Sequence, residues 1–249
     1  MSHLIIERPT LEGTRRFVHY AFMPNRLQYC GGDDSNAILE HAVTGEGRSG
    51  ALPALRKFTG ALPYLALIAR ENGIADPFDA RVVEAYWLGN ELLDRVEVAG
   101  LYASLRERFA KNLSPKVLEL VAGKAPRGAR PHHNFHVFDV HTRAGELGHS
   151  LETMDECRIS WGQVVSGDAT SLVVARQPLT IVDGALCLGA PEQQRVTRQF
   201  AGHGFADDVK PGDWVSLHWS WVCEAIDERC RANLKYYTLR HLQLANETL

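Results

Sequence analysis

Apolar positions in the first half of the chain recur at helical spacing. Over 78–96, Val82, Val83, Tyr86, Leu93 and Val96 fall on one face, which predicts an amphipathic helix. Asp76-Pro77-Phe78-Asp79 stands ahead of it as a start signal. Asp76 reads as the N-cap, Pro77 takes the first helical position, and a second acid falls in the first turn. A second helix is predicted over 101–111, and a third opens at Ser114-Pro115 and stops at Gly123. Upstream, 51–72 holds apolar helical segments broken by Pro53 and Pro63, with Gly73 as a C-cap. The stretch 45–50, with three glycines, reads as an exposed loop.

Past the basic, Gly- and Pro-containing stretch 123–131, which reads as a linker, the period shortens. Residues 134–141 alternate as a strand does. Short β-prone runs follow at 158–165, 171–175, 179–182, 185–188, 194–199 and 214–219, and Asp183-Gly184 is a hairpin signal. Over 227–246 the helical period returns, with Leu234, Tyr237, His241, Leu242 and Ala245 on one stripe. The expected class is α+β: a helical N-terminal domain over 1–128, then over 129–249 a small antiparallel, OB-like β-barrel with a C-terminal helix.

Composition narrows the function classes. The 249 residues are 45% hydrophobic and 23% charged, as expected of a globular chain. A net charge of −3 gives no electrostatic footprint for nucleic acid or an anionic membrane. No apolar run is long enough to span a bilayer, and residues 1–14 lack the apolar region of a signal peptide, so a cytoplasmic location is expected. Glycine-rich phosphate loops, GxSxG and HExxH are all absent.

The chemistry-bearing residues are cysteines and histidines. Cys30, Cys157, Cys187, Cys223 and Cys230 are scattered with no CxxC pair. Each is either a small buried hydrophobe or a ligand. Cys30 stands beside Gly31-Gly32, just ahead of a helix that Asp33, Asp34 or Ser35 could cap, a setting that lowers a thiol pKa. Among eleven histidines, His132, His133 and His136 crowd together, with Asp139 close by. On a strand His132, Asn134 and His136 would share one face and His133 the other. Two readings stand for this cluster: ligands for a first-row metal, or hydrogen-bonded residues closing a linker.

One segment carries a resemblance. Val209-Lys210-Pro211-Gly212-Asp213-Trp214-Val215-Ser216-Leu217-His218, running on to Glu224-Ala225-Ile226-Asp227-Glu228, resembles the end of the barrel in HypC/HupF proteins, chaperones of [NiFe]-hydrogenase maturation. Cys157-Arg158-Ile159-Ser160-Trp161-Gly162-Gln163-Val164 is similar to the cysteine motif that opens that barrel, with Trp161 where proline is usual. The resemblance implies iron carrying CO and cyanide, held at Cys157 and His218. It also implies a HypD-like partner and the hydrogenase large subunit as recipient. In that family the cysteine is N-terminal, whereas here a long chain precedes it. The whole chain also looks like an uncharacterised bacterial family, through Phe22-Met23-Pro24-Asn25-Arg26-Leu27, Glu84-Ala85-Tyr86-Trp87-Leu88-Gly89-Asn90, Pro131-His132-His133-Asn134-Phe135-His136 and His241-Leu242-Gln243-Leu244-Ala245-Asn246.

Two functions follow as expectations. In the first, a maturation factor holds an iron fragment at Cys157 and His218, and the helical half docks a partner or acts on the iron's ligands. In the second, an enzyme works at the domain junction, with Cys30 as nucleophile beside a histidine, or with His132, His133 and His136 on a metal. A purely structural barrel within a binding module is the third, plainer option. If the first holds, Cys157 and His218 lie within reach of one ion, and Cys30 or one of His132, His133 and His136 lies within about 10 Å of Cys157, since two ligands of one metal stand only a few ångströms apart.

Overall fold

The computed structural model describes residues 3–33, 35–44, 48–141, 143 and 150–249. The first half is helical: α1 (His3–Arg26), α2 (Ser35–Thr44), α3 (Arg48–Leu55), α4 (Leu62–Glu71), α5 (Ala80–Trp87), α6 (Val98–Phe109) and α7 (Pro115–Ala122). The expected glycine-rich loop falls at 45–47 outside the described residues, while 48–50 open α3. Asp34 also lies outside them. Ser114 caps α7 by accepting from the Val117 amide, and Pro115 follows at the first helical position. The start signal at 76–79 works one turn later than its spacing suggests. Asp79 caps α5 through the Arg81 amide, and Asp76 instead folds a turn onto the Phe78 amide. The helix is also shorter than its apolar stripe: Leu92, Leu93 and Val96 are buried from turns beyond α5.

The alternating segment 134–141 is not a strand. It forms α8 (His133–Phe135), running directly into a π-helix, His136–His141. Residues 133–140 are all buried, so the sequence offers no polar face from which to read a period. The stretch 123–131 is likewise packed rather than a free linker. Lys124, Ala125 and Ala129 are buried, and the Lys124 ammonium donates to Leu244 O and to Thr248 Oγ1 at 2.9 Å, with Asp139 Oδ1 at 3.5 Å.

A short helix, α9 (Leu151–Cys157), leads into the sheet region. Its strands are β1 (Ser160–Gly167), β2 (Ser171–Arg176), β3 (Leu179–Val182), β4 (Ala185–Leu188), β5 (Glu192–Thr197), β6 (Gln199–Phe200), β7 (His203–Gly204), β8 (Trp214–His218) and β9 (Trp221–Ile226). The β3–β4 hairpin turns at Asp183 and Gly184, both at positive φ, as a two-residue hairpin requires. Hydrogen bonding closes β1-β2-β5-β9-β8 into a ring. Every seam is antiparallel except β5–β9, a single parallel pair between Thr197 and Trp221. An odd ring cannot alternate direction at every seam, so a wholly antiparallel closure is excluded by parity.

Asp227 caps the last helix, α10 (Glu228–Asn246), by accepting from the Cys230 amide. One buried apolar cluster runs through both halves, from Phe17 and Tyr86 through Phe135 to Trp221 and Leu234. The ring's interior is a smaller cluster that includes Val164, Val174, Val196 and Leu217. Polar contacts reinforce the join. Arg16 of α1 reaches Glu224 of β9 at 2.9 Å and Glu84 of α5 at 2.8 Å, and Tyr20 Oη meets Ser216 Oγ at 2.9 Å. No helix among the described residues is long and apolar enough to cross a membrane.

Candidate metal centre

Three elements bring one donor each to a common point. Cys157 is the last residue of α9, His218 the last of β8, and His133 the first of α8. One ligand atom from each lies within 4.8 Å of the other two, and all three side chains are buried. Donors on a single tetrahedral ion stand roughly 3.3–3.6 Å apart, so a side-chain adjustment of about an ångström draws the three together.

Each donor is held from outside the triad. Asp155 anchors α9: it accepts from Arg158 at 2.8 Å and from the Leu179 amide at 2.9 Å, and it pairs with Arg176. Both arginines are buried, and the carboxylate offsets part of their charge. Asn134 fixes the neighbourhood of His133. Its amide nitrogen donates to Ile159 O and Thr238 Oγ1, and its oxygen accepts from the Ile159 amide at 2.8 Å. That stitches α8 to α10 and to the chain between Cys157 and β1.

The β8–β9 turn beyond His218 is strained. Trp219 and Ser220 both adopt positive φ, 55° and 51°, which costs about 1 kcal/mol or more for residues other than glycine. Bonds to α9 hold them there. The Trp219 amide donates to Glu156 O at 2.8 Å, and the Ser220 hydroxyl donates to the Glu156 carboxylate. Trp219 stacks on Tyr29 at 3.9 Å. Cys157 and His218 are thus fixed relative to one another by the residues next to each.

Protonation favours metal binding. His218 Nδ1 lies 2.7 Å from Tyr20 O, a group that only accepts, so Nδ1 carries the hydrogen. Its Nε2 is then a bare lone pair, buried and without a hydrogen-bond partner. Burial pushes His218 down to about 4, and burial together with the His218 ring pushes His133 down well below the usual imidazole range. Both rings are therefore neutral near pH 7. His133 Nε2 faces Cys157 O at 2.9 Å and Nδ1 faces Tyr86 Oη at 3.1 Å. Whichever nitrogen takes an ion, the other keeps a partner that fixes the ring, since the tyrosine hydroxyl accepts as well as donates. Burial pushes the Cys157 thiol up, with Cys30 adding to it. A cation beside the sulfur reverses that balance and favours the thiolate.

The triad opens onto a cavity of about 340 Å³. Cys30, His136 and His141 also line it, with Tyr29, Tyr86 and Trp219. Cys30 is exposed as a residue, yet protein atoms crowd its thiol and push it up to about 12. The lowered pKa expected from its place before a helix is not found: desolvation prevails, and no cation offsets it among the causes of the shift.

His132 sits elsewhere. It caps α8 by accepting from the Asn134 amide, and its ring stacks on Tyr237 beside His241, away from the cavity lining. Because 133–141 is helical, His133 and His136 share the cavity and His132 does not, the reverse of the strand expectation. Asp139 faces Lys124 and Arg143 rather than the triad. Cys187 lies half-buried on β4, and Cys223 and Cys230 are buried apart from the cavity lining. Sequence reasoning passed over Tyr20, Tyr86, Glu156 and the structural use of Asn134. They act through side-chain and carbonyl contacts that only the fold creates.

No curated protein and no solved structure matches the chain. A family model does, over residues 9–249, so the match takes in both the helical half and the strand region. The chain therefore belongs to DUF6390, a family of unknown function.

Proposed function

We propose that this protein binds a transition metal through Cys157, His218 and His133, and that the metal is iron carrying CO and cyanide ligands during [NiFe]-hydrogenase maturation. The carrying observation is the convergence of one thiol and two neutral imidazoles on one buried point. A thiolate with two imidazoles suits iron, zinc or copper far better than calcium or magnesium. Iron with strong-field ligands is favoured by the HypC/HupF resemblance, whose two mapped residues, Cys157 and His218, are two of the three donors. A HypD-like protein and the hydrogenase large subunit are the partners that go with this reading. The helix α8 supplies the third donor, and the helical half lines much of the cavity.

The test is anaerobic purification from cells that make a [NiFe]-hydrogenase, followed by iron analysis and infrared spectroscopy. Stoichiometric iron with bands of bound CO and cyanide supports the proposal. Iron without those bands overturns the cargo assignment, and no bound transition metal overturns both parts.

A second reading, a metal-dependent enzyme acting on a small molecule, is favoured by the cavity of about 340 Å³, which exceeds what an ion with diatomic ligands needs. The nucleophile form of that reading, with Cys30 attacking substrate, is disfavoured by the raised pKa of its thiol.

A further inference from the structure

His136 lines the same cavity as the triad but stands outside it. Its side chain is buried, and Nδ1 lies 3.2 Å from Tyr64 Oη. Its other nitrogen, Nε2, is buried with no hydrogen-bond partner. Gly60 also lines the cavity next to this nitrogen, and a Cβ at that position would stand 3.4 Å from it. A glycine there keeps the approach to Nε2 clear. Tyr64 Oη meets Nδ1, and the tautomer in which the hydroxyl donates there puts the ring hydrogen on Nε2, facing the cavity. An unmet buried donor is unfavourable and calls for a ligand.

Charge identifies that ligand's class. A divalent ion with one thiolate and two neutral imidazoles carries a net charge of +1. Among the described residues lining the cavity there is no aspartate or glutamate. A buried positive charge without a protein counter-charge is stabilised by an anion. We infer that His136 Nε2 grips a small monoanion bound to the metal at Cys157, His133 and His218. The inference rests on the metal-binding reading above and adds the ligand and the residue that positions it. The anion places one atom on the metal and accepts the Nε2 hydrogen bond at another, as azide, formate or bicarbonate can.

The experiment uses the full chain loaded with Co²⁺, whose visible spectrum reports both the thiolate bond and added ligands. Azide is titrated into the wild type, H136A, H136Q and H136F, with neutral imidazole as the comparison ligand. The expected result is unchanged cobalt affinity in all four, and azide binding weakened about tenfold or more in H136A and H136F. H136Q, whose amide nitrogen can replace Nε2, regains much of that affinity. Imidazole binds the wild type more weakly than azide. Equal azide affinity in H136F and wild type, with cobalt in place, overturns the role of His136. Imidazole binding as tightly as azide overturns the anionic class. Failure of the wild type to show a thiolate–cobalt band overturns the metal reading and this inference with it. Should H136A not fold, the comparison of H136Q with H136F decides alone.

Discussion

Replacing Cys157 by alanine separates the thiol's packing from its bond to a metal. Cys157 is 6% exposed and belongs to a small cluster with Val137, Leu179 and Leu242. Removing one sulfur from such a cluster costs about 1–2 kcal/mol. An unfolding entropy of about 2.1 cal/mol/K per residue gives about 0.5 kcal/mol/K for this 249-residue chain. The metal-free variant should therefore melt about 2–4 °C below the wild type. An ion supplied at about 100 times its Kd adds about 2.7 kcal/mol, equivalent to a rise of about 5 °C. Scanning calorimetry with and without Co²⁺ should show that rise in the wild type and under about 1 °C in Cys157→Ala. Cys187→Ala, a half-buried thiol on β4 outside the triad, should keep the full rise. A full metal-induced rise in Cys157→Ala would refute the assignment of the thiol as a ligand.

The histidines should divide sharply: His133→Ala loses cobalt binding by at least about tenfold, whereas His132→Ala keeps it, as equilibrium dialysis can read. Asp139 provides a pH signature, because burial raises it to about 6 against the favourable charges of Lys124 and Arg143. The folded state then holds its proton more tightly than the unfolded chain, so this group's stabilising effect is complete below about pH 4 and is lost as pH rises through about 6. The span is about 3 kcal/mol; Asp139→Asn should flatten that part of the stability–pH curve, and an unchanged curve would show the carboxyl to be silent. Gly89→Ala should cost about 2–4 kcal/mol and lower Tm by about 4–8 °C. Gly89 sits at φ 88°, and a Cβ there would come within 2.2 Å of the Tyr237 ring. Trimming that ring in Gly89→Ala/Tyr237→Ala should relieve only the contact part of the loss.

Local signals read well where one residue sets one bond. Ser114-Pro115 opens its helix and Asp183-Gly184 turns its hairpin, because side-chain chemistry or tolerance of positive φ suffices there. Tertiary surroundings defeated the rest. Uniform burial over 133–140 erased any face, so helical backbone passed for a strand. Lys124 looked like a solvated linker residue, but carbonyl and carboxylate partners from distant segments bury it. The strand β9 went unread because its residues were absorbed into a motif and its pairing with β8 is made by the fold. Cys157 and His218 could be paired from sequence only through the HypC/HupF resemblance. His133 joined them by a change of backbone type that composition does not encode.

The odd-membered ring is a collar, and its parallel seam is the clasp. One pair, Thr197 with Trp221, closes β5 onto β9, and the Thr197 amide donates to Ser220 O at 2.8 Å. The seam with the fewest bonds opens at the lowest energy. Ser220 is the second residue of the turn that begins just after His218 and holds Glu156. When the clasp springs, the turn loses one of its fastenings and the wall around His218 slackens, while β1, β2 and β8 stay laddered. Hydrogen exchange should accordingly run faster at Thr197 than at Val174 or Val215, and a metal ion loaded at the triad should leave at the pace of the clasp rather than of global unfolding.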